Sequence, residues 1–276
     1  MRRVLSPVFR LSRRLPGQYP LLSLFVAVMM LYLMAPTFIV LVVSFDPTTT
    51  VSFPPDALSL RWYLELPEHG QYLDAFYRSV VAATLCTVIG IPVGVLAGIG
   101  LMRFDIRLEK YLQLYFLLPF TVPLVVSGVI LLIIFGETGV IGNLWTVGLA
   151  LAIINIPFMI WSVTSRVNAL DPELEAAAEN LGAEEIQRFL HVTFPAILPG
   201  VITGSLIMFV LGLNEFIVSL LITTNDIVTL PVLLYTQIRS SISPLIAAVA
   251  SIYIVVAFLT VILADRLVGL DQFLKS

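Results

Sequence analysis

Six stretches of this chain read as near-continuous apolar runs, and its polar residues gather in the gaps between them. The runs cover roughly residues 21–45, 75–102, 111–135, 143–167, 195–222 and 244–268. A helix crosses the hydrocarbon of a bilayer with about 20 apolar residues at about 1.5 Å rise each. All six runs reach that length. In lipid a spanning segment must satisfy its own backbone groups, which a helix does. The pattern predicts an all-α membrane protein of six transmembrane helices, with residues 1–276 forming one membrane domain. The first run is longer than a signal-peptide core, and no small-x-small cleavage pattern follows it, so it is read as a retained helix.

Composition agrees with the pattern. Hydrophobic residues make up 59% and charged residues 12% of the 276 residues, against about 25% charged in soluble domains. Mean hydropathy is +1.01. The single cysteine, Cys86, lies in an apolar run and reads as a small buried helix residue; it excludes an internal disulfide and a cysteine-based metal site.

Charge changes the picture by its placement. The leader, residues 1–20, holds Arg2, Arg3, Arg10, Arg13 and Arg14 and no acid. The gap after the second run holds Arg103, Arg107 and Lys110, the gap after the fourth Arg166 and Arg188, and the tail Arg266 and Lys275. The other side has Arg61, Arg78 and Arg239. Lysine and arginine mark cytoplasmic loops. Both termini are therefore expected in the cytoplasm of a bacterium, with the chain multi-pass in its inner membrane and residues 46–74 outside.

Within the runs, four features stand apart. Gly90, Gly94 and Gly98 place bare backbone on one face of the second helix, with Pro92 between; such spacing admits a close neighbouring helix. Pro119-Phe120-Thr121-Val122-Pro123 and Asn155-Ile156-Pro157 interrupt the third and fourth helices. Proline removes a donor and frees the carbonyl four residues back, so Thr121 and Asn155 are candidates either to satisfy those groups or to line a path. Glu215, after Gly212 and Asn214, is an ionisable residue in the outward half of the fifth span. Its position marks a functional candidate, beside the plainer role of tying helices together. His69 and His191 fall in gaps between runs and read as surface residues.

The gap 168–194 is polar and helix-forming. Asp171 suits an N-cap, Pro172 the first turn and Glu173 the dipole. Leu174, Ala178 and Leu181 share one face, and Gly182 suits a left-handed stop. A second helix is expected over about 183–192, with Ile186, Phe189 and Leu190 apolar and Pro195 ending it. Two amphipathic helices at the cytoplasmic surface bury their apolar side against lipid or a partner; an acidic pair favours a protein partner over a lipid surface. A short helix is also expected across the outer mouth over 229–244. Enzyme signatures are missing: the nearest to a phosphate loop, Gly269 to Ser276, has Leu274 where the second glycine must stand.

The run Leu174-Glu175-Ala176-Ala177-Ala178-Glu179-Asn180-Leu181-Gly182-Ala183, with Pro195 and Pro199, resembles the EAA loop of ATP-binding-cassette (ABC) importer permeases. Ser44-Phe45-Asp46 with Leu60-Arg61-Trp62-Tyr63, Asn214-Glu215-Phe216, Thr229-Leu230-Pro231 and Ile242-Ser243-Pro244 extend the resemblance along the whole chain. They point to the permease subunit of type I importers, in the spermidine/putrescine-type subgroup. One departure is clear: Ala176 occupies the family's glutamate position, and Glu175 lies one residue early, about 100° round the helix. Val192 and Phe194 also replace the family's isoleucine and leucine.

The resemblance implies a type I permease fold and half of a translocation path working by alternating access. It implies ATPase coupling through Glu175, Ala176, Ala177, Ala178, Glu179, Leu181, Gly182 and Ala183. The candidate path residues are Glu215, Asn214, Asn155 and Thr121, and a polyamine or similar small cation is the expected substrate. No cofactor is expected on the chain; ATP and Mg belong to two partner ATPase subunits. A second permease subunit and an extracytoplasmic binding protein complete the implied complex. The alternative is an ion-gradient-driven secondary transporter or channel subunit, which predicts inverted repeats and several intramembrane charges.

Overall fold

The computed structural model describes residues 20–103, 111–112, 115–116, 121–224 and 226–268. The leader arginines, Arg107, Lys110, Phe120 and the segment from Gly269 to Ser276 lie outside them. The first helix, α1, runs Pro20–Val43. A short helix α2, Arg61–Glu65, leads through a 3₁₀ turn, Leu66–Glu68, into α3, Gly70–Arg103. Then come α4, Leu124–Glu137, and α5, Leu144–Ala169. Two loop helices follow, α6, Pro172–Asn180, and α7, Glu185–Arg188; a π turn, Phe189–Thr193, continues into α8, Phe194–Asn214. The last are α9, Ile217–Ile222, α10, Leu230–Ser240, and α11, Pro244–Val268.

Four described helices are long and apolar enough to cross a membrane: Leu21–Val43, Gly70–Arg103, Leu144–Ala169 and Glu185–Asn214. Leu124–Glu137 and Pro244–Thr260 are apolar but shorter. The chain divides into two compact units, one of residues 1–64 and 242–251 and one of 65–241 and 252–276.

In the first unit, α1 is exposed along nearly its whole length, Leu24, Phe25, Leu31 and Leu33 included. The segment after it is pinned by Asp46. Its carboxylate accepts from the Thr48 amide (2.9 Å) and hydroxyl (2.7 Å) and from the Ser52 amide (3.1 Å) and hydroxyl (2.7 Å). The Asp46 carbonyl accepts from the Trp62 indole at 2.7 Å, and the Arg61 guanidinium lies 4.6 Å from the Trp62 ring centre. These bonds, the Ser52 hydroxyl first, hold the Asp46 carboxyl well below the usual carboxylate range.

In the second unit, α3, α5 and α8 share a core of Ala82, Cys86, Leu151, Met159, Val163, Ile197 and Met208. The glycine face of α3 is its seam. A Cβ on Gly94 would sit 2.4 Å from Met159 Cγ, and one on Gly90 2.2 Å from Met208 Cε. Gly98 faces Val163 in the same way. Gly128 of α4 packs on Val218 and Leu221 of α9. The amide of Leu230, which opens α10, donates to Ser79 Oγ of α3 at 2.8 Å.

Three expectations need correction. The fifth span is not one helix over 195–222: it stops at Asn214 and restarts at Ile217. Pro195 does not end the second loop helix either. The π turn, with the Phe194 amide bonded to the Phe189 carbonyl, shifts the register there, and Pro195 falls in the first turn of α8, where a missing donor is tolerated. The third span is not one continuous helix: residues 111–112, 115–116 and 121 are helical, and α4 begins at Leu124 after an extended Pro123 (φ −53°, ψ 131°). The residue before a proline is biased away from helix.

Candidate functional site

The loop between α5 and α8 is built by its own end signals. Asp171 Oδ1 accepts from the Glu173 amide at 3.0 Å, capping α6. At the other end the Gly182 amide donates to the Glu179 carbonyl (2.9 Å) and the Ala183 amide to the Ala178 carbonyl (3.0 Å). That is a Schellman stop, which needs a left-handed residue after the cap. Gly182 supplies it, with φ +85°. The Glu184 amide then donates to Gln187 Oε1 at 3.2 Å, opening α7.

Side chains on this loop divide into two sets. Leu174, Leu181, Ile186 and Leu190 are exposed, as are Ala176 and Ala177. Glu175 turns the other way: it pairs with Arg103 of α3 and accepts from the Thr193 hydroxyl. Arg103 Nη2 also donates to Thr193 Oγ1 at 2.7 Å. Glu179 pairs with Arg188 across the glycine bend at 2.8 Å.

The second site lies where the fifth span breaks. Glu215 leaves α8 in an extended conformation (φ −70°, ψ 126°). Its carboxylate then caps α9, accepting from the Val218 amide (2.9 Å) and the Ser219 amide (2.8 Å). The Tyr253 hydroxyl donates to the freed Leu213 carbonyl at 2.6 Å. Beside this break is a cavity of about 500 Å³, lined in part by Asn155, Phe158, Leu211, Asn214, Glu215 and Phe216. The carbonyl end of α8, the negative end of its dipole, borders it.

The structure thus gathers three of the four sequence-predicted path residues, Glu215, Asn214 and Asn155. Val122 and Leu124, rather than Thr121, line the cavity. Asn155 is buried and donates to the Leu151 carbonyl at 2.9 Å, not to the Ile153 carbonyl that Pro157 frees. Asn214 donates to the Val210 carbonyl at 2.8 Å. Glu215 stands at a break in the fifth span and not within a continuous helix.

The family model of the binding-protein-dependent transport system inner membrane component matches residues 90–269. The chain belongs to that family. It is therefore a permease subunit of an ABC importer and a multi-pass inner-membrane protein, and the ion-gradient alternative is set aside. This family chain is 25% identical over 241 residues to the spermidine/putrescine transport system permease protein PotC of Escherichia coli (strain K12), covering 87% of this chain and 90% of the relative. It is 28% identical over 228 residues to the putrescine transport system permease protein PotI of the same organism, covering 80% and 81%.

Two solved structures share the fold. One is a bacterial ABC transporter involved in the import of the acidic polysaccharide alginate, with TM-score 0.72, 14% identity, and 92% of this chain and 96% of that chain covered. The other is the inward-facing MetNI methionine ABC transporter, with TM-score 0.58, 19% identity, and 72% and 93% covered. The matched segment contains both the α6–α7 loop and the break at Glu215. Thr193 escaped the sequence reading of this permease, since a threonine at the end of an apolar run does not stand out, and Arg103 was read there only as an orientation charge. The break had a signal in Gly212 and Asn214, two weak helix formers close together.

Proposed function

We propose that this permease imports a polyamine or a similar small organic cation by alternating access. The observation that carries this reading is the cavity at the break in the fifth span. Glu215 and the carbonyl end of α8 give it negative character, and Phe158 and Phe216 give it faces for an aliphatic amine. The polyamine names of the relatives support the same class. Asn155 and Asn214 serve as polar lining.

In this reading the segment 168–194 lies in the cytoplasm and receives one of two ATPase subunits, which carry ATP and Mg. The exposed apolar set Leu174, Leu181, Ile186 and Leu190, with Ala176, Ala177, Ala178 and Ala183, forms the contact. Gly182 sets the bend, and Glu175 and Glu179 hold it in shape. A second permease chain supplies the other half of the path, and an extracytoplasmic binding protein delivers the solute. Both termini are cytoplasmic, from the placement of lysine and arginine.

The test is uptake of labelled spermidine and putrescine into proteoliposomes holding the complete complex with its binding protein. ATP-dependent uptake of either, unaffected by excess acidic saccharide, is the expected result. ATP-driven uptake of a neutral or acidic solute instead would overturn the substrate class, and uptake indifferent to ATP would overturn the coupling.

A further inference from the structure

Glu175 stands one residue before the position at which the family pattern places its acid, and the structure gives that displacement a consequence. Its side chain points at the permease's own bundle. It meets Arg103, the last residue of α3, and Thr193, the last residue of the π turn. The Thr193 side chain is fully buried, and the Glu175 and Arg103 side chains are only 24% and 26% exposed. Arg103 Nη2 bonds Thr193 as well, at 2.7 Å. Three polar groups from three elements thus close on one another. Ala176, the next residue of α6, is exposed and carries no polar group at all.

We propose that Arg103, Glu175 and Thr193 form a latch through which movement of the cytoplasmic loop is passed to α3. The chain itself joins the loop to α5 on one side and to α8 on the other. α3 reaches it through Arg103. The other end of that connection matters, because Gly94 and Gly98 of α3 pack directly against Met159 and Val163 of α5, and Gly90 against Met208 of α8. Without the latch a displaced loop would move α5 and α8 directly and reach the C-terminal end of α3 only through side-chain packing. With the latch closed, the three helices shift as one body. Charge-assisted hydrogen bonds in a partly desolvated site suit this task, because they are directional and stronger than neutral ones. Glu175, Arg103 and Thr193 are positioning residues here; none of them touches solute or ATP. The proposal rests on the reading that the loop receives an ATPase.

The test uses the complete complex in proteoliposomes, with a cysteine at Leu211 in the cavity wall labelled by a maleimide. ATP should change the labelling rate about fivefold or more, the scale of an ordinary coupling between two sites. Arg103→Glu should retain the ATPase subunits at wild-type yield yet shrink the ATP effect to under about twofold. The reversed pair, Arg103→Glu with Glu175→Arg, should regain it. Glu175→Gln keeps the shape and a neutral acceptor for Thr193; it should fold normally and show a reduced ATP effect. A full ATP effect in Arg103→Glu or Glu175→Gln would overturn the latch, and so would failure of the reversed pair to recover. A wild-type complex with no ATP effect would overturn the coupling reading itself, whatever the variants do.

Discussion

The Glu215 carboxylate accepts the Ser219 amide at 2.8 Å across the break in the fifth span, so the one acid in that run both restarts a helix and borders the cavity. The two roles separate by substitution. Glu215→Gln keeps one acceptor oxygen but sets an NH2 group against a backbone donor and removes the charge. Glu215→Asp keeps the charge but is one methylene shorter and does not span both amides. Losing a cap costs about 0.5–2 kcal/mol, which leaves the bundle folded. Uptake by Glu215→Gln should fall about tenfold or more, a ground-state contact of about 1.4 kcal/mol or more, mainly through a raised KM for a polycation, while Glu215→Asp retains more of it. Equal KM values in both variants would show that the charge does not meet the solute.

Gly182 holds φ +85° with nothing within 4 Å of a Cβ added there. Substitution there is opposed by backbone strain and not by crowding. Valine at φ > 0 costs about 1–3 kcal/mol, while asparagine enters the left-handed region readily. Gly182→Val should lower ATPase retention or ATP-driven uptake several-fold, with the permease still inserted. Gly182→Asn should come close to wild type. Co-purification yield and proteoliposome uptake check both, and equal behaviour of the two variants would remove the bend from the coupling argument.

Asp46 carries the pH prediction. Its folded-state pKa lies below the unfolded value of about 3.9. Its contribution is therefore fully present above pH 4 and is lost as pH falls through the depressed folded value. Amide exchange at Thr48 and Ser52 should stay protected from neutral pH down to about pH 4, once corrected for intrinsic rates. Asp46→Asn should raise exchange there about tenfold even at neutral pH, because the amide group offers one acceptor oxygen where two are used. Protection lost already near pH 5, or kept in the Asn variant, would contradict this.

On α3, Gly94→Ala places a methyl carbon about 2.4 Å from Met159 Cγ, near the stem of that side chain. Overpacking of this kind costs about 1–3 kcal/mol, and the detergent-solubilised protein should unfold at a lower temperature. Gly100→Ala meets nothing within 4 Å and gains helix propensity of up to about 1 kcal/mol, so its thermal midpoint should hold or rise. The reverse order would mean that the α3–α5 seam is looser than its geometry.

Much of this protein was legible in one dimension. The last helix was read at 244–268 and runs Pro244–Val268. The stop at Gly182 follows from the residue type that enters the left-handed region most freely, and the α3 seam follows from three glycines four residues apart. Local signals of this kind depend on a residue and its near neighbours, and the apolar runs depend on bilayer thickness, so the sequence carries them directly.

Other features depend on partners far along the chain. Pro195 looked like a terminator because a proline breaks an isolated α-helix, but the π turn before it changes which carbonyl seeks a donor. Glu215 looked like a charge buried in a span because its apolar neighbours hide the break; its carboxylate is satisfied by amides three and four residues ahead, once the chain has turned. Arg103, Glu175 and Thr193 are separated by 72 and 18 positions, and no periodicity links them. Hydrophobicity and local propensity determined the apolar helices, the stop at Gly182 and the membrane class. Which way each polar side chain points was decided only when packing of α3, α5 and α8 brought distant residues together, because a buried charge takes the partner that the fold supplies.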